Sequence, residues 1–362
     1  MGGDQVSITR LIRQVRGDID TPHSLFIACD ACHLELKTNS PELIEHLKVY
    51  FASFLSEGCD PDIRIVALEM TPPDLRIDFI DWPRDPGKVG GKDSYADLID
   101  GRACRKVRTA MQYLLGDGER IIFGECLKND NQVINFIVSQ HIGWLMNQGA
   151  ALCHASGVAV GDNGLAIAAF SGGGKSTLAL HLVRQGLDFI SNDRTLIALN
   201  DRTTVMYGVA KHPRINPGTV LNNPALGDII PEQRQLELAK LPTGEIWDLE
   251  EKYDALVDQI FGPGRFRLSA SLSGFLILNW KRNSNLATKI EPAQLSERPD
   301  LLEAIMKPPG PFYIPDDVQG PRGFIGVNAS DYLPILETIP VFEATGVTDF
   351  DFACAFCRDI LD

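Results

Sequence analysis

Residues 168–193, A-A-F-S-G-G-G-K-S-T-L-A-L-H-L-V-R-Q-G-L-D-F-I-S-N-D, decide the fold of this chain. An apolar run at 165–169 has the length of a buried strand and leads into three glycines, Gly172, Gly173 and Gly174, then Lys175, Ser176 and Thr177. Leu178, Leu180, Leu182 and Val183 recur at helical spacing. A second apolar run, 187–190, ends at Asn192-Asp193. Strand, glycine loop, helix, strand and acid follow in the order that makes a phosphate-loop motif credible.

Each residue type in that loop has a physical task. Glycines reach backbone angles closed to other residues and let the main chain approach an anion closely. The loop opens a helix, so free N–H groups and the helix dipole point at the ligand. The nucleotide-binding set is expected to be Ser171, Gly172, Gly173, Gly174, Lys175, Ser176 and Thr177. Lys175 supplies positive charge to the β and γ phosphates, and the Ser176 hydroxyl ligates Mg²⁺. Asp193 stands where a second-strand acid completes the metal site. The pattern G-x-x-x-x-G-K-[ST] asks for glycine at position 169, where this chain has Ala169. The bland alternative is a flexible glycine turn before a helix.

The 362 residues suggest two domains, and 44% hydrophobic content supports real cores. We expect an α+β domain over 1–150 and an α/β domain over 151–362. A net charge of −14 argues against a nucleic-acid or anionic-membrane surface as the main partner. No apolar run approaches a membrane span, and the first residues lack a signal-peptide core, so a cytoplasmic setting is expected. Among eight cysteines, Cys29 with Cys32 and Cys354 with Cys357 have C-x-x-C spacing. Together they have the composition of a four-thiolate zinc site. The first pair lies in a strand-like run and the second on a helical one, which favours buried thiols.

In the first domain we expect helices over 4–18, 41–55 and 131–147, with Ser40 and Pro41 starting the second. A strand or hairpin is expected over 24–36, strands over 63–68 and 75–80, an exposed loop over 83–94, and a hairpin of 107–115 with 120–126 across G-D-G. His33, His46 and His141 read as ordinary core or surface histidines. In the second domain, 151–160 reads as a strand containing His154, and 195–199 with 203–207 as a hairpin. The segment K-H-P-R-I-N-P-G-T-V places Lys211, His212 and Arg214 in a shaped basic loop. We expect Lys211 and Arg214 to face a phosphate and not open solvent. Residues 231–258 read as helix and loop, 275–280 as a buried strand, and 307–323 as a proline-rich connection. Residues 330–336, 340–344 and 349–361 read as helix, strand and helix.

At His154, Gly174-Lys175-Ser176, Arg184-Gln185-Gly186 and Asn192-Asp193-Arg194, the sequence resembles the HPr kinase/phosphorylase superfamily. More narrowly it is similar to the proteins often called HprK-related kinase B. The basic segment at 211–220 also looks like a loop of related kinases. The resemblance covers 150–225. It implies an α/β P-loop kinase core of the HPr kinase and phosphoenolpyruvate carboxykinase type, preceded by a small α+β domain. It further implies ATP as nucleotide, Mg²⁺ as cofactor and a serine hydroxyl as acceptor; the family's assembly is not carried over, and a homo-oligomer stays one open state. His154 would contact phosphate or orient the acceptor, and Arg214 with Lys175 would neutralise developing charge. The family's first acid of the pair, its presumed base, is Asn192 here, while the second is kept as Asp193.

The leading expectation is a Mg-ATP-dependent phosphotransferase acting on a protein serine or a small hydroxyl compound. A catalytically weak nucleotide-binding regulatory module and a P-loop ATPase switch are the alternatives, and Asn192 favours the first of them.

Overall fold

The computed structural model describes residues 6–83, 90–170, 172–316 and 323–362. The chain divides into two units, Met1–Gln148 with Pro308–Gly326, and Gly149–Lys307 with Val327–Asp362. The fold is mixed α/β, with sheets and helices in both.

In the first unit the strands are β1 His23–Cys29, β2 Cys32–Thr38, β3 Ile63–Glu69, β4 Ile80–Asp81, β5 Asp93–Leu98, β6 Gly101–Lys106, β7 Gln112–Gly116 and β8 Glu119–Gly124. They make one sheet in the order β1-β2-β3-β8-β7-β6-β5-β4. Helix α1, Ile8–Arg16, begins where the Ser7 hydroxyl accepts the Arg10 N–H, and α2, Pro41–Tyr50, where Ser40 accepts from Leu43. Leu11, Ile12 and Val15 of α1 pack with Leu68, Leu114, Ile121 and Phe123 of the sheet. The β7–β8 turn holds Asp117 and Gly118 at φ 51° and 73°, the left-handed pair that a two-residue hairpin requires. Helix α3, Asp130–Asn147, is buried on several sides.

Two local expectations fail here. Residues 75–79 form no strand, and only Ile80–Asp81 pairs with a neighbour. Their alternating apolar residues Leu75, Ile77 and Phe79 instead pack against the α1 core, after Pro72 and Pro73 have removed two ladder donors. The charged segments β5 and β6, not foreseen as strands, pair along their full length. Within the expected 83–94 loop, 84–89 lie outside the described residues.

The segment 308–326, expected in the second domain, belongs with the first unit. Arg102 is the reason. It is 1% exposed, pairs with Asp97, and donates to the carbonyls of Pro311, Tyr313 and Gly323. Its guanidinium also lies over the rings of Trp82 and Tyr95. Of that segment, 317–322 lie outside the described residues.

The second unit contains β9 Ala151–Cys153, β10 Ala155–Val160, β11 Asn163–Ala169, β12 Asp188–Ser191, β13 Thr195–Asn200, β14 Thr203–Tyr207, β15 Arg214–Ile215, β16 Tyr253–Asp254, β17 Ser269–Leu278, β18 Lys289–Pro292 and β19 Val341–Thr345. Its main sheet runs β12-β10-β11-β17-β14-β13-β9, with β19 beside β17 and β18 beside β19. β17 is parallel to β11 and to β19. The helices are α4 Lys175–Arg184, α5 Pro217–Leu221, α6 Glu232–Leu238, α7 Thr243–Asp248, α8 Val257–Phe261, α9 Pro299–Ile305, α10 Leu333–Leu336 and α11 Phe350–Leu361. Ala166 and Ala168 of β11 and Phe275 and Ile277 of β17 pack with Leu301, Leu302 and Ile305 of α9. The alternate residues of those strands face α4 and α11, so the sheet is covered on both sides. β9, at one end of the sheet order, runs through a bend at His154 into β10, which lies next to β12 at the other end. Thr195 ties that bend to β13 by donating to the Ala155 carbonyl at 2.8 Å. Among the described residues no helix is long and apolar enough to cross a membrane.

Candidate phosphate-binding site

The loop between β11 and α4 has the backbone that its glycines were expected to allow. Gly172 and Gly174 sit at φ 76° and 91°, and Gly174 is the residue preceding α4 with no side chain capping the helix. The first-turn N–H groups therefore remain for a ligand. A Cβ on Gly173 would stand 2.9 Å from the Ala169 Cβ and 3.2 Å from the Leu278 carbonyl oxygen. Alanine at 169 is accommodated because its neighbour across the loop is a glycine. Ser171 lies outside the described residues.

An aromatic group holds the loop from behind. The Trp280 indole N–H donates to the Gly173 carbonyl at 2.7 Å. The Phe350 ring packs edge-on to Trp280, stacks on His181 of α4, and comes within 2.8 Å of where a Gly174 Cβ would be. Thr177 is buried, with its hydroxyl 3.0 Å from that of Thr219 on α5, so this side chain couples two helices. Lys175 and Ser176 are both partly buried at the head of α4.

Asp193 follows β12 and is partly buried. Burial alone would raise its pKa, but Lys307, Arg194, Lys175 and Lys211 around it hold the carboxyl far below the usual range. The same crowding acts on the cations. Lys175 is pushed down by burial and by Lys307, against the pull of Asp193. Lys211 is lowered to about 8 by burial and by Arg194, against the pull of Asp193. One ionised carboxylate thus stands among an excess of positive charge at the head of the glycine-loop helix. Such a place attracts a polyanion.

Neighbouring groups meet the expectations unevenly. His154 sits at the bend of the β9–β10 strand, its N–H donating to the Ile305 carbonyl at 2.7 Å. The Asn192 Oδ1 is buried with no hydrogen-bond partner, while its carbonyl accepts from Ser156. Arg214 departs from expectation. It is exposed and paired with Asp254 at 3.1 Å, because β15 and β16 form a two-stranded ribbon that sets these residues opposite each other. His212 is buried and accepts from the Val257 N–H, a structural role. Sequence reasoning overlooked Lys307, whose only signal was a lysine directly before two prolines.

Ser176 and Asp193 are the residues that could hold Mg²⁺. Among the described residues no three His, Cys, Asp or Glu side chains gather into a metal cage. This set fits an ion that takes one or two protein oxygens and shares the rest with phosphate and water, as Mg²⁺ does. Cys29 and Cys32 face each other in the β1–β2 hairpin of the first unit, and Cys354 and Cys357 lie on α11 of the second. All four are buried thiols pushed up by desolvation.

No protein-family model matches the chain, and no curated protein matches it. Among solved structures it is similar to the Hpr(Ser) kinase/phosphatase from Coxiella burnetii, at 12% identity. The match covers 57% of this chain and 88% of that one, with a TM-score of 0.29. This is a distant structural relationship.

Proposed function

We propose that this chain is a Mg-ATP-dependent phosphotransferase that moves the γ-phosphoryl group of ATP to a hydroxyl, either a serine of a protein or a small hydroxyl compound. The observation that carries the reading is the ionised Asp193 among Lys175, Lys211, Arg194 and Lys307 beside a glycine loop that opens a helix.

Phosphoryl transfer passes through a loose transition state, so positioning and charge neutralisation carry most of the catalysis. The loop amides and Lys175 would hold the phosphate chain. Ser176 and Asp193 would hold Mg²⁺, which when bound neutralises phosphate charge. The unpartnered Asn192 Oδ1 would accept a hydrogen bond from the acceptor hydroxyl and aim its oxygen at phosphorus. His154, at the strand bend, would contact phosphate or steady the acceptor. Asn192 cannot take the proton, and a general base is worth roughly 10²–10⁴-fold. A slow kinase follows. The same asparagine favours a second reading, a nucleotide-binding regulatory module that transfers nothing.

Mg-ATP should raise the melting temperature by mass action, by about 2.7 kcal/mol of stability at a hundredfold excess over Kd. Lys175→Ala should remove most of that shift while the apo protein stays folded. Equal responses of wild type and mutant would refute the phosphate loop. Transfer of label from γ-labelled ATP to a host lysate then separates the kinase from the binding module.

A further inference from the structure

We propose that a cavity in the first unit binds a small organic monocarboxylate, its carboxylate on Arg120 and its apolar body against Leu115, Phe312 and Ile314. The cavity holds about 220 Å³ and is lined by the β7–β8 hairpin, α3 and the chain at 312–316. Drug-sized ligands occupy roughly 300–1,000 Å³, so the occupant here is a smaller molecule. Three observations carry the proposal. First, the space has a fixed roof. Arg102 donates to the Pro311 carbonyl at 3.1 Å, Gln140 Nε2 to the Phe312 carbonyl at 3.5 Å, and the Tyr313 hydroxyl to Asn147 Oδ1 at 3.0 Å. The Tyr313 ring meets α3 at a glycine, since a Cβ on Gly143 would lie 3.3 Å from it. Second, a partly buried cation lines the space with only neutral partners. Arg120 Nε donates to Gln140 Oε1 at 3.1 Å and Nη1 to the Gly118 carbonyl at 3.3 Å. Among the described residues no carboxylate makes ion-pair contact with it. Third, the rest of the lining is largely apolar, with Ile63, Leu115, Phe312, Ile314 and the ring of Trp144.

Charge selects a monoanion. A guanidinium presents its N–H groups as a planar fork that matches a carboxylate. Gln140 and Gly118 hold that fork from one side and leave Nη2 for a ligand. Burial pushes Arg120 below its usual range, against the pull of Asp316, so an anion beside it offsets the cost of burying the charge. Asp316 and Glu119 also line the cavity, and Glu119 is already paired with Arg16 at 3.3 Å. A second negative charge, as on a dicarboxylate or a phosphate, would face these two acids. The glycine loop belongs to the second unit, so this inference stands or falls independently of the nucleotide site.

The test titrates the full ¹⁵N-labelled chain with 4-methylpentanoate, with its uncharged amide and with succinate. The readout is the indole N–H resonance of Trp144, assigned by its loss in Trp144→Phe. The monocarboxylate should shift it with a Kd of about 1 mM or tighter. The amide and succinate should each bind about tenfold more weakly or worse, the amide because it lacks the charge-assisted hydrogen bonds to Arg120. Arg120→Gln should reduce the monocarboxylate to the level of the amide. Ile314→Trp, which fills the cavity, should abolish binding of both. Melting temperatures establish that each variant is folded; if Arg120→Gln is not, the acid and amide on wild type and Ile314→Trp decide. Equal affinities for acid and amide, tighter binding of succinate, or no shift by the acid up to about 10 mM would overturn the proposal.

Discussion

Asn192 is the residue on which the proposed chemistry turns. Its Oδ1 is buried without a partner, a state that costs about 1–3 kcal/mol and calls for a ligand donor. Asn192→Asp restores a group able to accept a proton, among cations that favour its charge. Single-turnover transfer should then rise about 10–100-fold, within the range of general-base effects, and gain a dependence on pH. A wild-type rate already fast and indifferent to the change would refute the assignment of position 192 to the acceptor. At this scale the sequence showed the residues that carry a pattern. Lys175, Asp193 and His154 each sit in a spaced motif, and Lys175 and Asp193 lie close enough for the charge of each to bear on the other. Lys307 had no motif, since a single lysine before two prolines resembles any loop. The exposure of Arg214 was equally hidden, because its partner Asp254 comes forty residues later in an unremarkable acidic stretch.

At the scale of elements, the glycine loop owes its shape to Trp280 and Phe350, which sequence reading treated only as a strand end and a helix start. Trp280→Phe keeps an aromatic ring but removes the N–H that binds the Gly173 carbonyl. A hydrogen bond of this kind contributes about 1 kcal/mol. Mg-ATP affinity should fall about fivefold in calorimetry with little change in apo melting temperature. An unchanged affinity would mean that the loop holds its shape without the indole. Helices with a cap, such as α2 after Ser40, and hairpins with a left-handed turn, such as β7–β8, were readable from local chemistry. Residues 75–79 misled because alternation reports burial and not pairing, and here α1 provides the burial. β5 and β6 escaped notice because Asp93 and Arg102, charged yet buried, and the partly buried Lys106 paired with Asp93 broke the expected apolar pattern.

At the scale of the whole molecule, acid should expose a weak point in the first unit. His141 on α3 is 3% exposed, its Nδ1 has no partner, and burial lowers its pKa to about 4. The folded state thus favours the neutral ring. Between the unfolded value of about 6.5 and the folded one, only the unfolded chain takes up a proton, so stability falls as pH falls. The loss assigned to His141 between pH 7 and pH 4.5 should be about 2–3 kcal/mol, read from urea midpoints. His141→Gln should remove that part of the slope, and an identical slope in the variant would sink the assignment. The allocation of 308–326 to the first unit was invisible in sequence, because proline-rich chain gives no hint of the arginine that collects its carbonyls. The consequence concerns how the molecule is made. β19 and α11, which complete the second unit, follow the excursion that supplies Arg102 with its acceptors. On the ribosome, neither unit has all its parts until the chain passes 308–326, so each is finished late in synthesis. Simple scission of the gene between them yields no intact half.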